Sequence, residues 1–120
     1  MARIKFNIKD REDLEIIKEA WKMREEEFRK AGRNTGLYMY GYIDGRYRSD
    51  NNAGIEDIIK FCSCQTYGYD RQNKYRLWAA ISSYYNKAAY MRRKQNWLES
   101  LEDVVPTNDD WNAASNSYLP

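Results

Sequence analysis

The residues best suited to chemistry are basic and aromatic side chains gathered in one segment, residues 71–98. This segment contains seven Lys or Arg residues and no acidic residue. Its bases are Arg71, Lys74, Arg76, Lys87, Arg92, Arg93 and Lys94, and its rings include Tyr90 and Trp97. Because Lys and Arg bind phosphates and flat rings stack on exposed bases, the composition of this segment suits an anionic or nucleic-acid partner.

An acidic segment follows directly. Residues 99–120 contain five acidic residues and no base, so the net charge of +2 hides two opposed blocks. Such a tail either docks on the basic flank formed by Arg76, Lys87 and Lys94, or stays free and inserts Trp111 into a partner. The two alternatives differ in whether the basic helix is open to a ligand.

A second aromatic group is predicted on a β-hairpin. Residues 37–43 alternate between tyrosines and smaller or apolar residues, and Asp44-Gly45 is a strong signal for a two-residue turn. The returning strand places Arg46 and Arg48 on the mixed, partly apolar face. The opposite face becomes a ladder of tyrosines, which are Tyr38, Tyr40, Tyr42 and Tyr47.

Known catalytic and metal-binding patterns are missing from the sequence. The chain has no histidine, the side chain that most often transfers protons near neutral pH. Cys62 and Cys64 form a lone Cys-x-Cys pair, at most half of a structural zinc site. We interpret them as small residues near a helix end, one of them buried. We therefore expect a protein that is not an enzyme and has no cofactor or metal.

The cellular setting follows from the cysteine content and the N-terminus. Two cysteines provide no disulfide framework, which favours a reducing compartment. The first six residues are too charged for a signal peptide, and no apolar run approaches the length needed to span a membrane. We expect a soluble cytoplasmic protein with no membrane partner.

The hydrophobic pattern predicts an α+β fold with the order β-α-β-β-α-α and a short terminal helix. Residues 3–8 alternate and are predicted to form a strand. This strand and the hairpin would form a small antiparallel sheet packed on the helices. We predict a single α+β domain over residues 1–105 and an acidic aromatic tail over residues 106–120.

Helix boundaries are predicted from caps and breakers. Asp10 caps a first helix that runs to about Ala31, whose Arg24 is assigned to a solvated face. A short helix covers residues 55–64, and a long helix runs from about Gln72 to Leu101. The long helix carries a 4-3-4-3 seam, typical of a core or self-association surface. This seam consists of Leu77, Ile81, Tyr84, Ala88, Met91, Gln95 and Leu98.

We expect a small binding protein, an adaptor or inhibitor of a macromolecular partner, because tyrosine and tryptophan are enriched at interfaces. Chains of this kind are common among phage and mobile-element accessory proteins that block a host defence component. The expected partner is a protein. One alternative is nucleic-acid binding through residues 71–98. Another is an oligomeric sponge for an anionic nucleotide, in which Arg92, Arg93 and the tyrosines line a pocket between copies.

The residues predicted to contact a partner fall into two chemical groups. The partner- or anion-binding group is Arg46, Arg48, Arg76, Lys87, Arg92, Arg93 and Lys94. The aromatic group is Tyr38, Tyr40, Tyr42, Tyr47, Tyr90, Trp97 and Trp111.

Overall fold

This computed structural model describes residues 3–101 and 108–115 of the chain. These residues contain four α-helices and one β-hairpin. The class is α+β, as predicted. In chain order the elements are α1 (Arg11–Lys30), β1 (Leu37–Ile43), β2 (Arg46–Ala53), α2 (Ile55–Cys62), a 3₁₀ turn (Thr66–Gly68), α3 (Tyr69–Ser100) and α4 (Asn108–Ser115). None of the helices in this part of the chain is both long and apolar enough to cross a bilayer.

The first helix begins at the predicted cap. The Asp10 carboxylate accepts the backbone N–H of Asp13 at 2.9 Å, and the Asp13 carboxylate accepts that of Asn7 at 2.8 Å. The first bond satisfies an amide that the first turn leaves without a helical partner, and the second ties the preceding segment to the helix. The buried residues of α1 are Ile16, Ile17, Ala20, Trp21 and Arg24. The assignment of Arg24 to the solvated face is therefore wrong.

The predicted N-terminal strand is also wrong. Residues 3–8 are irregular, and the sheet in the described residues consists of β1 and β2 alone. The alternation has another cause. Ile8 is buried, and the ring of Phe6 lies 5.7 Å from Trp78 and 6.2 Å from Tyr85. An extended segment that buries alternate side chains against a helix gives the same pattern as a strand, without ladder hydrogen bonds.

The hairpin has the predicted turn and register. Asp44 and Gly45 both have positive φ, 53° and 78°, as a two-residue type I′ turn requires. Tyr42 lies opposite Tyr47, and Ile43 lies opposite Arg46. The second strand continues to Ala53, directly before Gly54, the N-cap residue of α2.

The long helix α3 has 32 residues, a rod of about 48 Å at ~1.5 Å per residue. The predicted seam is buried at Leu77, Ile81 and Ala88 but not at its C-terminal end, where Met91 is 47% exposed. This end of α3 still lies beside α1, since Glu15, in the second turn of α1, pairs with Arg92. Met91 and Gln95 border a groove between the two helices, so this part of the seam is open to solvent.

Candidate functional site

Six tyrosines form one connected aromatic surface beside the hairpin, which we call the tyrosine face. Neighbouring ring centroids lie 5.3–6.1 Å apart. Tyr67 is 82% exposed and Tyr47 is 52% exposed. A contiguous exposed aromatic surface of this kind marks a binding site more often than scattered rings do. The face consists of Tyr38, Tyr40, Tyr42, Tyr47, Tyr67 and Tyr69.

The hairpin places the four predicted tyrosines. Side chains of a strand alternate between its two faces, so Tyr38, Tyr40 and Tyr42 share one face of β1. The register adds Tyr47 directly across from Tyr42, with their rings 5.6 Å apart in an edge-to-face arrangement. Edge-to-face contacts are favourable because the positive edge of one ring meets the negative face of the other. The rings therefore support one another while remaining open to solvent.

Two members of the tyrosine face, Tyr67 and Tyr69, were missed by the sequence argument. Tyr67 adopts φ 59° and ψ 16°, the left-handed region that non-glycine residues rarely occupy, and Gly68 follows with φ 76°. This reversal brings the Tyr67 ring within 5.9 Å of Tyr42. The sequence signal is Tyr67-Gly68-Tyr69, which lies between the predicted helices over residues 55–64 and 72–101.

Gly41 allows α3 to approach β1 closely. A Cβ at this position would lie 2.6 Å from Cys64 Sγ and 3.2 Å from the Cβ of Tyr69. Both distances are shorter than ordinary van der Waals contact. Any larger residue would push Tyr69 away, so Gly41 is needed for Tyr69 to join the face.

A buried amide ties the same two elements together. The Asn73 side chain is fully buried and donates from Nδ2 to the carbonyls of Tyr40, at 2.9 Å, and Phe61, at 3.1 Å. Its Oδ1 accepts the backbone N–H of Tyr40 at 3.5 Å. Buried backbone groups need such partners, because a missing hydrogen bond costs more than a made one contributes. Asn73 is thus a positioning residue that the sequence argument did not identify.

Arg76 lies against the edge of the tyrosine face. Its guanidinium carbon is 4.5 Å from the ring centre of Tyr40 and 5.6 Å from that of Tyr38. Its Nη2 donates to the Tyr40 hydroxyl at 3.4 Å, and this hydroxyl donates to Gln72 Oε1. The predicted anion-binding residue therefore also holds two aromatic rings in place, with a favourable cation–π contribution.

Arg46 and Arg48 lie on the other side of the hairpin. Their register partners are Ile43 and Gly41, so they alternate with Tyr47 and point away from the tyrosine face. Arg48 lines a cavity of about 560 Å³ behind the strands, together with Asp57. Of the predicted basic residues, Arg76 alone is in ring contact with the tyrosine face.

The remaining predicted aromatic residues form a separate group at the far end of α3, which we call the tail cluster. Trp111 of α4 is 2% exposed, and its ring lies 5.4 Å from both Tyr90 and Trp97. The Trp111 indole donates to the Tyr90 hydroxyl. Tyr90 and Trp97 thus hold a segment of their own chain.

The basic residues of α3 do not form one surface. Arg92 pairs with Glu15, and Lys74 pairs with Asp70 at 3.8 Å. Arg93 borders a groove that also contains acidic residues of α1. Lys87 is exposed and Lys94 is half-buried on the same helix. The basic residues of segment 71–98 therefore do not form one continuous positively charged patch.

The two cysteines are both buried, where one was expected. Burial raises the pKa of Cys62 to about 12, which leaves its thiol protonated and unreactive at neutral pH. Within residues 3–101 and 108–115, no three Cys, Asp or Glu side chains come together as metal ligands.

Comparisons of this chain with protein-family models, with curated proteins and with solved structures found no match.

Proposed function

We propose that this chain is a non-enzymatic protein-binding module, an adaptor or inhibitor in a reducing cytoplasm, and that it docks its partner on the tyrosine face. The observation that carries the proposal is the connected, exposed set of tyrosine rings described above. Tyrosines are favoured at protein interfaces because they offer a large contact area at a low cost in side-chain entropy.

The rigidity of the support strengthens this proposal. Tyr69 is packed against β1 at Gly41, and Asn73 bonds the backbone of Tyr40. Rings that are ordered before binding lose little freedom on association, so more of the contact energy appears as affinity. The left-handed backbone at Tyr67 fits the same interpretation, since strained residues are retained where they serve a site.

The arrangement of charges favours a protein over a nucleic acid. Single-stranded nucleic acid needs cations next to the stacking rings to neutralise its phosphates. Arg46 and Arg48 are on the opposite side of the hairpin. The arginines near the face border one edge of it, at Tyr38, and do not lie among its rings. The ring faces are also partly covered by edge-to-face contacts, which leaves fewer open planes for bases.

The decisive experiment is affinity purification of the tagged full chain from cells of its source organism. It is run at roughly 0.15 M and about 1 M salt, because the higher concentration screens charge contacts beyond ~3 Å. We expect one protein in stoichiometric amount at both salt concentrations, with no absorbance from nucleic acid. Mass spectrometry identifies the partner.

A pair of matched variants assigns the interaction to the tyrosine face. The double variant Tyr47→Ala/Tyr67→Ala removes two highly exposed rings, whereas Met91→Ala removes a comparably exposed apolar side chain from α3 outside the face. The double variant should lose the partner, and Met91→Ala should retain it. Circular dichroism checks that both are folded. Recovery of nucleic acid alone, or full retention of the partner by the double variant, would contradict the proposal.

A further inference from the structure

Three arginines line one cleft between α1, the loop that follows it, and α3. The cleft is a shallow surface depression, open to solvent, with a volume of about 430 Å³. Arg24 comes from α1, Arg33 from the loop and Arg76 from α3, and Phe28 and Tyr38 provide aromatic walls. Like charges repel, so three guanidiniums in one cleft need a compensating group.

Arg24 is the most deeply buried of the three arginines, so its charge is the most costly to leave without a partner. It is 5% exposed, its guanidinium carbon lies 4.0 Å from the ring centre of Phe28, and its Nη1 donates to the Thr35 carbonyl. Burial lowers the pKa of Arg24, and the nearby charge of Arg33 also lowers it, whereas Tyr84 and Glu25 act in the opposite direction. A buried cation is expensive unless a counter-charge accompanies it.

Among the described residues, the carboxylate of Glu25 acts on Arg24 without forming an ion pair with it. In the described part of the chain, no carboxylate forms a salt bridge with any of the three guanidiniums. Glu27, on the same helix as Arg24, instead accepts the Tyr84 hydroxyl. Arg76 Nη1 is buried and has no hydrogen-bond acceptor among residues 3–101 and 108–115. An unpaired guanidinium nitrogen is the group that an oxyanion would satisfy.

We propose that this cleft binds a small phosphate-bearing ligand with at least two negative charges, of the size of pyrophosphate or a nucleoside diphosphate. Guanidinium forks match phosphate oxygens in a bidentate geometry, and several of them together select a multiply charged group over a single carboxylate. The cleft shares only Tyr38 and Arg76 with the tyrosine face and its edge. Binding here requires no protein partner, so this proposal stands or falls separately from the protein-binding one.

The test is calorimetric titration of the full chain with inorganic pyrophosphate, ADP and adenosine. The variant is Arg33→Gln, because Arg33 is exposed and its side chain is not part of the core. The control is Lys30→Gln, which removes the same charge from the neighbouring end of α1 outside the cleft. We expect pyrophosphate or ADP to bind, Arg33→Gln to weaken binding about tenfold or more, and Lys30→Gln to change it less than about twofold.

The three ligands distinguish the source of the phosphate. Tighter binding of ADP than of pyrophosphate assigns the cleft to a nucleotide, and equal binding assigns it to the phosphate groups alone. Absence of binding by both at millimolar concentration overturns the proposal. Equal weakening by the two variants also overturns it, since that result reflects general charge attraction. Binding of adenosine alone would show a site of different chemistry.

Discussion

At the start of α3, Tyr69 belongs to the tyrosine face and Arg76 lies at its edge, and this surface remains exposed. Near its end, Tyr90 and Trp97 belong to one that Trp111 covers. Arg76 and Tyr90 are separated by about 21 Å along the helix, at ~1.5 Å per residue. The side-chain types at the two ends are alike. What distinguishes them is whether another segment of the same chain lies on the rings.

The supports also differ. The tyrosine face is supported by contacts between β1 and α3, which are the close approach of Tyr69 to Gly41 and the hydrogen bonds of Asn73 to Tyr40. The tail cluster instead holds a separate short helix through the indole of Trp111. We therefore expect the tyrosine face to be sensitive to changes in buried scaffold residues, and the tail cluster to be separable from the rest of the fold.

The largest contrast is expected between two tryptophans that are equally buried. Trp21 and Trp111 are each 2% exposed. Trp21→Ala should lower the free energy of unfolding by about 3–5 kcal/mol, as is usual for a core aromatic residue. Trp111→Ala should cost less than about 2 kcal/mol, because only α4 is released. Denaturant titration measures both, and equal losses would show that α4 is an integral part of the core.

Asn73→Ala tests the scaffold of the tyrosine face. It leaves the carbonyls of Tyr40 and Phe61 without their buried donor, so the free energy of unfolding should fall by about 3 kcal/mol. The exposed Asn86 on the same helix provides the control, and Asn86→Ala should cost less than about 0.5 kcal/mol. Similar losses from the two variants would mean that the amide bonds contribute little.

A smaller loss is expected from Gly41→Ala. The added methyl group meets Cys64 and Tyr69, and such overpacking costs about 1–3 kcal/mol. Gly54→Ala is the control, because nothing lies within 4 Å of the Cβ it would add. Its cost should stay below about 1 kcal/mol, the value of a weakened helix cap. A neutral Gly41→Ala would refute the close approach of Tyr69.

The smallest effect should be a gain in stability. Tyr67→Gly removes a side chain from a left-handed position and should stabilise the fold by about 0.5 kcal/mol. Partner capture should weaken at the same time, because the most exposed ring of the face is lost. Tyr38→Gly, in a regular strand, should destabilise instead. A loss of stability in Tyr67→Gly would indicate that the ring contributes more to the fold than the backbone strain costs.

Local signals account for the parts of the fold that the sequence predicts well. The Asp10 cap and the Asp44-Gly45 turn are encoded within a few residues, and the turn sets the pairing of Tyr42 with Tyr47. The four hairpin tyrosines of the candidate site follow from the same register. Residues 3–8 were expected to form a strand because their side chains alternate. Such alternation indicates which side chains are buried, but it does not show that the backbone pairs with another strand.

The rest of the site depends on contacts that no local pattern specifies. Asn73 and Tyr40 are separated by 33 residues, and nothing near Asn73 marks it as the partner of a strand. Tyr67 joins the face through a backbone conformation that its residue type disfavours. The burial of Arg24 follows from the rings of Trp21 and Phe28 that enclose it, and a charged residue among glutamates gives no hint of this.

The Asn73 amide also affects the stage of synthesis at which the tyrosine face can be completed. A two-stranded hairpin alone is marginally stable in water. The amide that bonds the backbone of Tyr40, and two of the six tyrosines of the face, come from residues that leave the ribosome after both strands. The tyrosine face is therefore not complete in the nascent chain until α3 has been made and has packed. A truncated product that ends before α3 would carry most of the tyrosines and still lack the surface they form, so under the proposed function incomplete copies would not compete for a partner.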